Sequence, residues 1–301
     1  MYGCSWDLYK PSPAQKKSPA ASRMESMTQL RFKLGGYFEF EPAVPLQRYV
    51  QASWIHASAI GAAPAIHRVI PDPCLSVAFG CRRDANGRVQ DPRLWFVGPV
   101  RFPRFTAQHP GSELVAVRLF PEWSEHFLDI DPGEHPNAIV NLAEVSDGLE
   151  RDLLDRLTQT RSARTALELL LSAFTRRARA RRPPNDRQSV ACNASTLLRR
   201  SGGRMAMDRL AAVLGITARH LHRTCTSLVG LSPKALARTL RFQRALLAAD
   251  AVPRPDWSDL AARFGYADQA HMIREFKELT GLTPRALHRE RRSESDSFNL
   301  S

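Results

Sequence analysis

The chain has 301 residues, of which 43% are hydrophobic and 24% are charged. This composition is typical of folded globular proteins, and the length suits two domains. No apolar run approaches the roughly 20 residues that span a bilayer, and residues 1–27 lack the apolar stretch of a signal peptide. We therefore expect a cytoplasmic protein without a membrane partner. The five cysteines are odd in number and form no CxxC pair, which argues against a disulfide framework or a zinc site.

The charge is divided unevenly between the two halves of the chain. The formal net charge is +13, yet residues 1–150 contain 15 Lys and Arg against 16 Asp and Glu. The whole positive excess therefore lies in residues 151–301. A basic half joined to a neutral half indicates that the second half binds a polyanion, although a solvated basic surface is the alternative.

Residues 1–27 are predicted to be a disordered tail, and Met24 and Met27 are candidate alternative starts. Short apolar stretches at 75–79, 94–97 and 114–119 follow, separated by Pro, Gly and Asp or Asn. The dipeptide Asn86-Gly87 is typical of a hairpin turn. This spacing predicts a small β-barrel or sandwich.

The apolar period becomes helical between residues 146 and 180. We interpret this region as helices that pack on the barrel; a dimer interface is the alternative. Six arginines and Pro183-Pro184 then mark a linker. The predicted divisions are a sensing or dimerisation domain at 28–175, a linker at 176–189, a DNA-binding domain at 190–291 and a disordered tail at 292–301.

An internal repeat occupies the last hundred residues. The segment LAAVLG at 210–215 returns as LAARFG at 260–265, and GLSPKAL at 230–236 returns as GLTPRAL at 281–287. Two matches at nearly the same offset indicate a duplicated structural unit.

Each copy has the pattern of a short helix, a tight turn and a second helix. Asp208 or Ser258 is predicted to cap the first helix, which ends at Gly215 or Gly265. Ser232-Pro233 and Thr283-Pro284 are typical starts of the helix that follows each copy. The residues predicted to face inward from the second helices are Leu221, Cys225 and Leu228, and Met272, Phe276 and Leu279. This is the helix-turn-helix pattern.

In a helix-turn-helix, the second helix enters the major groove of DNA. Arginine bonds to guanine and glutamine bonds to adenine there. The polar residues near the start of the two second helices are Arg219, His220, His222 and Arg223, and Gln269, His271 and Arg274. A helix from Pro233 to about Ala249 joins the copies; its ~17 residues at ~1.5 Å each span ~25 Å. With the flanking units, this length predicts two recognition helices about one DNA turn, ~34 Å, apart.

The segment 190–291 resembles the C-terminal DNA-binding domain of the AraC/XylS family of bacterial regulators. The residues that carry the resemblance are 261–266 (AARFGY), Phe276-Lys277, Thr280-Gly281 and Thr283-Pro284. The resemblance implies base contacts from Arg219, His222 and Arg223 in the first unit and from Gln269, Ala270, Ile273 and Arg274 in the second.

Two departures from the family pattern distinguish the copies. Cys225 stands where the family usually has an aromatic residue, and Thr226 stands where it usually has lysine. The first unit is therefore expected to have the weaker core. Because the side chains of Ala270 and Ile273 cannot hydrogen-bond to bases, the first unit is expected to dominate specificity and the second to anchor.

The first half resembles the N-terminal, cupin-like domain of a subset of the same family at 67–79, 96–99 and 117–121. The resemblance implies that this half senses a signal or holds a dimer together. No HxH motif occurs there, so we predict no metal or other cofactor. An aromatic set is interpreted as core in preference to a ligand cavity: Trp54, Trp95, Trp123, Phe79, Phe96, Phe102 and Phe105.

The predicted fold is α+β: a small cupin-like β-barrel with helices, then an all-α domain of two helix-turn-helix units joined by a long helix. The predicted function is sequence-specific transcription regulation at promoter DNA, without catalytic residues, since no catalytic motif appears. RNA polymerase, a small-molecule effector and a second copy are further candidate partners. The alternatives are a DNA-binding module fused to a cupin-like or repair enzyme, and an architectural protein. Effector, target site and direction of regulation stay open.

Overall fold

The computed structural model describes residues 30–34, 36–59, 65–180 and 183–299, so the predicted tail at 1–27 lies outside the described residues. The N-terminal part contains nine strands and three α-helices within these ranges. The strands are β1 (Leu30–Leu34), β2 (Tyr37–Phe40), β3 (Val50–Ala57), β4 (Ala65–Val69), β5 (Leu75–Arg83), β6 (Val89–Val97), β7 (Arg104–Gln108), β8 (Ser112–Leu119) and β9 (Ile139–Asn141). The helices are α1 (Ser124–Leu128), α2 (Asp147–Thr158) and α3 (Ala163–Arg179).

Seven of these strands form one antiparallel sheet in the order β1-β2-β3-β8-β5-β6-β9, and β4 pairs with β7 in a separate ladder. The strands predicted from the three apolar stretches are confirmed as parts of β5, β6 and β8. The predicted hairpin turn joins β5 to β6: Gly87 has a φ of 72°, and the Asp84 side chain accepts hydrogen bonds from the backbone N–H groups of Asn86 and Arg88.

The prediction of a closed barrel is wrong for the described residues, because β1 and β9 lie at opposite edges of an open sheet. The sheet stays open because helices cover one of its faces. Helix α3 buries Leu167, Leu170, Leu171 and Phe174 in the same cluster as Val77, Val117 and other sheet residues. Since helices bury this face, the sheet need not close on itself. The apolar stripe of α3 therefore packs on the sheet, as we interpreted it, rather than forming an exposed surface for a second copy.

The C-terminal part is helical. Its helices are α4 (Asp186–Ser201), α5 (Met207–Val213), α6 (Ala218–Leu228), α7 (Pro233–Asp250), α8 (Trp257–Arg263), α9 (Gln269–Thr280) and α10 (Pro284–Asn299). Two apolar clusters hold it together, and α7 contributes to both: Leu236 and Ala237 to the first, Phe242 and Leu246 to the second. The long joining helix is thus part of each core. Within the described ranges, none of the helices is long and apolar enough to cross a membrane.

Two segments differ from the divisions expected from sequence. Helix α3 continues to Arg179 and α4 begins at Asp186, so the connection is shorter than the predicted linker at 176–189. Helix α10 continues to Asn299 and includes residues 292–299, which were predicted to be a disordered tail. A polar segment without Gly or Pro can extend a helix that has begun at a proline and is fixed to α7, here by the Arg291–Asp250 ion pair at 2.8 Å.

Candidate nucleic-acid interface

The first helix-turn-helix unit consists of α5 and α6. Helix α5 ends before Gly215, whose φ of 65° is in the left-handed region that favours glycine. The Thr217 hydroxyl then caps α6 by accepting a hydrogen bond from the His220 backbone N–H at 3.1 Å. Leu221, Cys225 and Leu228 are buried against α4 and α7, as predicted. The proposed cap of α5 by Asp208 is wrong, because Ala206 occupies the N-cap and no side chain caps this helix.

The second unit, α8 and α9, repeats this arrangement with stronger caps. Gly265 has a φ of 78°, and Asp268 caps α9 by accepting from the His271 N–H at 2.6 Å. The predicted cap Ser258 is wrong: Asp256 caps α8, and Ser258 donates its own backbone N–H to that carboxylate at 2.9 Å. Met272, Phe276 and Leu279 are buried as predicted.

Helix α6 presents most of the predicted DNA-contact residues to solvent. Arg219, His222 and Arg223 are exposed, whereas His220 is half-buried. Residues three or four apart on a helix share one side, so Arg219, His222 and Arg223 form a single stripe. Among the described residues, no carboxylate is ion-paired with Arg219 or Arg223. The stripe therefore presents two arginines that form no ion pair within the described ranges.

Helix α9 exposes a smaller share of its predicted DNA-contact residues than α6 does. Gln269, Ala270 and Arg274 are exposed, and Arg274 has no ion-pair partner in the described part of the chain. His271 and Ile273 are half-buried. The Nδ1 atom of His271 accepts the Ala267 N–H at 3.2 Å, and its ring lies edge-on to Tyr266. His271 thus stabilises the turn before α9, a role that the sequence did not indicate.

A buried ionic cluster fixes α9 to α7. Glu275 is only 5% exposed and accepts bonds from Arg238 Nε at 2.9 Å and from Arg241 Nη2 at 2.8 Å. Arg241 also lies 5.0 Å over the Tyr266 ring. The corresponding position of the first unit is Thr224, which has no charge. A comparison of the two repeats would therefore have identified Glu275 as a difference between the units. It would not have predicted that Arg238 and Arg241 pair with this carboxylate.

Cys225 is a packing residue. It is fully buried, and burial raises the pKa of its thiol to about 12. Since the thiolate is the reactive species, this thiol is inert near neutral pH. The aromatic residue expected at this position is replaced by a smaller side chain in a closed core.

The aromatic set of the first half is divided between two environments. Phe79, Phe96 and Trp123 are in the core, as interpreted. Phe102 and Phe105 are instead 62% and 61% exposed, and Phe105 belongs to the separate β4–β7 ladder. Trp54 and Trp95 are half-buried on the sheet face that the helices do not cover.

The His56 side chain on β3 should make folding stability depend on pH. Burial, and after it the nearby His67, lower the pKa of His56 to about 4, against about 6.5 in an unfolded chain. The fold favours the neutral ring, so its contribution is complete above pH ~6.5 and is lost as pH falls towards ~4. The thermal midpoint should fall less between pH ~7.5 and ~5 in His56→Gln than in the wild type. An equal fall in both would contradict this assignment.

The N-terminal part contacts both helix-turn-helix units. Beside the first unit, Glu122 pairs with Arg199 of α4, and the Arg101 side chain donates to the carbonyl of Gly230, two residues after α6. On the second, Arg68 pairs with Glu290 of α10 at 2.7 Å and donates to the Thr280 carbonyl at 2.8 Å. These contacts join the N-terminal domain to elements next to α6 and α9.

The two parts of the chain match two different protein families. A family described as a helix-turn-helix domain matches residues 210–290, which include both units. The chain carries an AraC-type helix-turn-helix domain. It is a DNA-binding transcription regulator with a separate N-terminal domain, as the sequence predicted. Residues 38–141 match a domain of unknown function, DUF6597. No curated protein sequence matches the chain.

Solved structures with similarity to this regulator differ in how much of it they cover. The C-terminal domain of AraT, a response regulator from Geobacillus stearothermophilus, is 20% identical with a TM-score of 0.33, over 35% of this chain and 88% of that domain. A DNA-binding transcriptional dual regulator from Escherichia coli K-12 is 20% identical with a TM-score of 0.30, over 36% and 93%. ToxT from Vibrio cholerae O395 is 13% identical with a TM-score of 0.40, over 78% and 95%.

Proposed function

We propose that this regulator recognises specific promoter sequences by placing α6 and α9 in two adjacent major-groove segments, under the control of its N-terminal domain. The observation that carries the proposal is the exposure of three arginines, Arg219, Arg223 and Arg274, on the second helices of the two units. Arginine is the side chain that most often reads guanine in the major groove. We assign no reaction to either domain.

The joining helix supports simultaneous binding by both units. Helix α7 has 18 residues and is therefore ~27 Å long at ~1.5 Å per residue. Because α7 is part of both cores, it keeps the units at a fixed separation. We expect the two contacted elements to be centred about 10 base pairs apart.

The two units are expected to contribute differently. The first presents Arg219, His222 and Arg223, which all carry hydrogen-bonding groups. On the second, the exposed polar side chains near the helix start are Gln269 and Arg274, and the Gln269 Oε1 atom accepts from Ser258 at 3.2 Å. We infer that the first unit supplies most of the base preference and that the second anchors the protein.

Selection from a pool of random DNA duplexes tests these assignments. The enriched duplexes should contain two short elements, and Arg223→Ala and Arg274→Ala should each lose about 1–3 kcal/mol of binding free energy to them. Arg223→Ala should also relax base preference in one element, whereas Arg274→Ala should mainly weaken binding. Binding should weaken with salt because phosphate contacts release counterions.

The matched control is Arg164→Ala, which removes an exposed arginine from the N-terminal part. It should leave affinity for the enriched duplex near that of the wild type. Equal, weak binding of all duplexes by the wild type and both DNA-facing variants would overturn the proposal.

A further inference from the structure

A turn of the N-terminal domain lies directly on the recognition helix α6. The turn, Pro132–Glu134, begins at Asp131, whose carboxylate accepts both the Gly133 N–H at 2.8 Å and the hydroxyl of Ser227. A Cβ atom at Gly133 would lie 2.5 Å from the carbonyl oxygen of Thr226. The contact is thus so close that a residue larger than glycine would have to displace it.

The turn covers one end of the DNA-facing stripe. Thr226 lies three and four residues after Arg223 and His222, so all three share one side of α6. A groove of about 400 Å³ runs beside this contact, between the two domains. Its lining residues are Asp131, Gly133 and Glu134 from the N-terminal domain and His222, Arg223, Thr226 and Ser227 from α6.

The charge of this turn opposes DNA. Asp131 and Glu134 are acidic, and Glu134 is exposed beside the stripe. DNA on α6 would bring phosphate groups to this end of the helix. Like charges closer than the ~8 Å Debye length at physiological salt repel one another with little screening. The carboxylates therefore disfavour the DNA-bound state while the turn is in place.

We propose that residues 131–134 are an autoinhibitory contact: they cover the end of the DNA-facing side of α6, and DNA must displace them. The contact is supported at a second point, since a Cβ at Gly230 would lie 2.8 Å from Pro99 Cγ and 2.9 Å from the Pro132 carbonyl oxygen. The N-terminal domain thereby lowers DNA affinity in this docked arrangement. This inference rests on the proposed role of α6 in binding DNA.

Reversing the charge of the turn should strengthen DNA binding. Glu134→Lys is compared with Asp155→Lys, which changes an exposed carboxylate on α2 by the same charge. Fluorescence anisotropy with the enriched duplex should give at least about fivefold tighter binding for Glu134→Lys. Asp155→Lys should stay near the wild-type value. Equal gains from both would show only a general effect of net charge and would overturn the inference.

Gly133→Ala tests the same contact without changing charge. Gly133 does not have a positive φ, so alanine fits its backbone and acts through the approach to Thr226. This variant should also bind the duplex more tightly, while a cooperative thermal transition shows that the fold is retained. Wild-type or weaker binding would contradict autoinhibition.

Adding Arg223→Ala to each variant separates the two proposals. If Arg223→Ala weakens binding but Glu134→Lys and Gly133→Ala do not strengthen it, the autoinhibitory contact is wrong and the proposed function stands. If Arg223→Ala has no effect in any background, the assignment of α6 to DNA is itself wrong.

Discussion

Glu275→Ala should destabilise the second helix-turn-helix unit by about 3–5 kcal/mol, because it removes one partner of a buried ionic cluster. Arg238 and Arg241 both bond to this carboxylate, and Arg241 is largely covered by α9 and Tyr266. Without Glu275, Arg241 would lose its carboxylate partner at the helix contact, and Arg238 would keep only the exposed Glu278. Urea unfolding, together with hydrogen exchange of the α9 amides, measures the loss.

Glu278→Ala is the matched control for Glu275→Ala. Glu278 is on the same helix and contacts Arg238 too, but its side chain is 64% exposed. Exposed ion pairs contribute about 0–1 kcal/mol, so this variant should remain close to the wild type. Similar losses in the two variants would show that burial of Glu275 does not make the difference.

The ionic cluster also fixes the helix position of Arg274, which we propose contacts DNA. Arg274 and Glu275 are consecutive, so the pairing that fixes Glu275 against α7 also sets the direction in which Arg274 leaves the helix. The first unit lacks this device, since Thr224 stands at the equivalent position. The contrast agrees with an anchoring role for the second unit.

Much of the helical domain could be predicted from the sequence, because its helices follow local sequence patterns that occur twice. Apolar residues at helical spacing placed Leu221, Cys225 and Phe276 in the core, and the glycines after the first helices adopt the expected left-handed φ. Ser232 and Thr283 cap α7 and α10 as predicted, accepting N–H bonds at 3.2 Å. Each of these features depends only on residues within one or two helical turns.

The two wrong predictions of helix caps show what local sequence patterns do not determine. Ser258 and Asp208 are suitable capping types, but the cap is the residue at which the chain enters the helix, and that is set by the path of the preceding turn. Asp256 occupies this position for α8, and Ala206 occupies it for α5. The DNA-facing assignment of His271 missed its bond to Ala267 for a similar reason.

Features that depend on distant pairing were not predictable from one sequence. The apolar stretches predicted three of the strands but not their partners: β3 pairs with β8 about 60 residues later, and β1 and β9 lie at open edges. The contact between the 131–134 turn and α6 likewise joins residues nearly a hundred positions apart. Neither a hydrophobic period nor a turn motif specifies such contacts.

Glu122→Ala should undock the two domains. The buried Glu122 carboxylate pairs with Arg199, the Gln188 side chain donates to the Glu122 carbonyl at 3.2 Å, and Arg199 lies 4.4 Å over the Phe120 ring. Removing one partner of a buried pair costs about 3–5 kcal/mol when the structure cannot relax. Here relaxation is available, because separation of the domains gives water access to Arg199. The cost is therefore limited to the free energy of docking.

Calorimetry and DNA binding together test this prediction. We expect Glu122→Ala to unfold in two separate transitions and to bind the enriched duplex more tightly, since undocking also removes the 131–134 turn from α6. The double variant Glu122→Leu/Arg199→Met replaces the pair by apolar side chains, which can be as stable as a buried ion pair, and should restore docking and weaker DNA binding. Undocking without a gain in affinity would mean that the domain contact supports the fold and does not restrain α6.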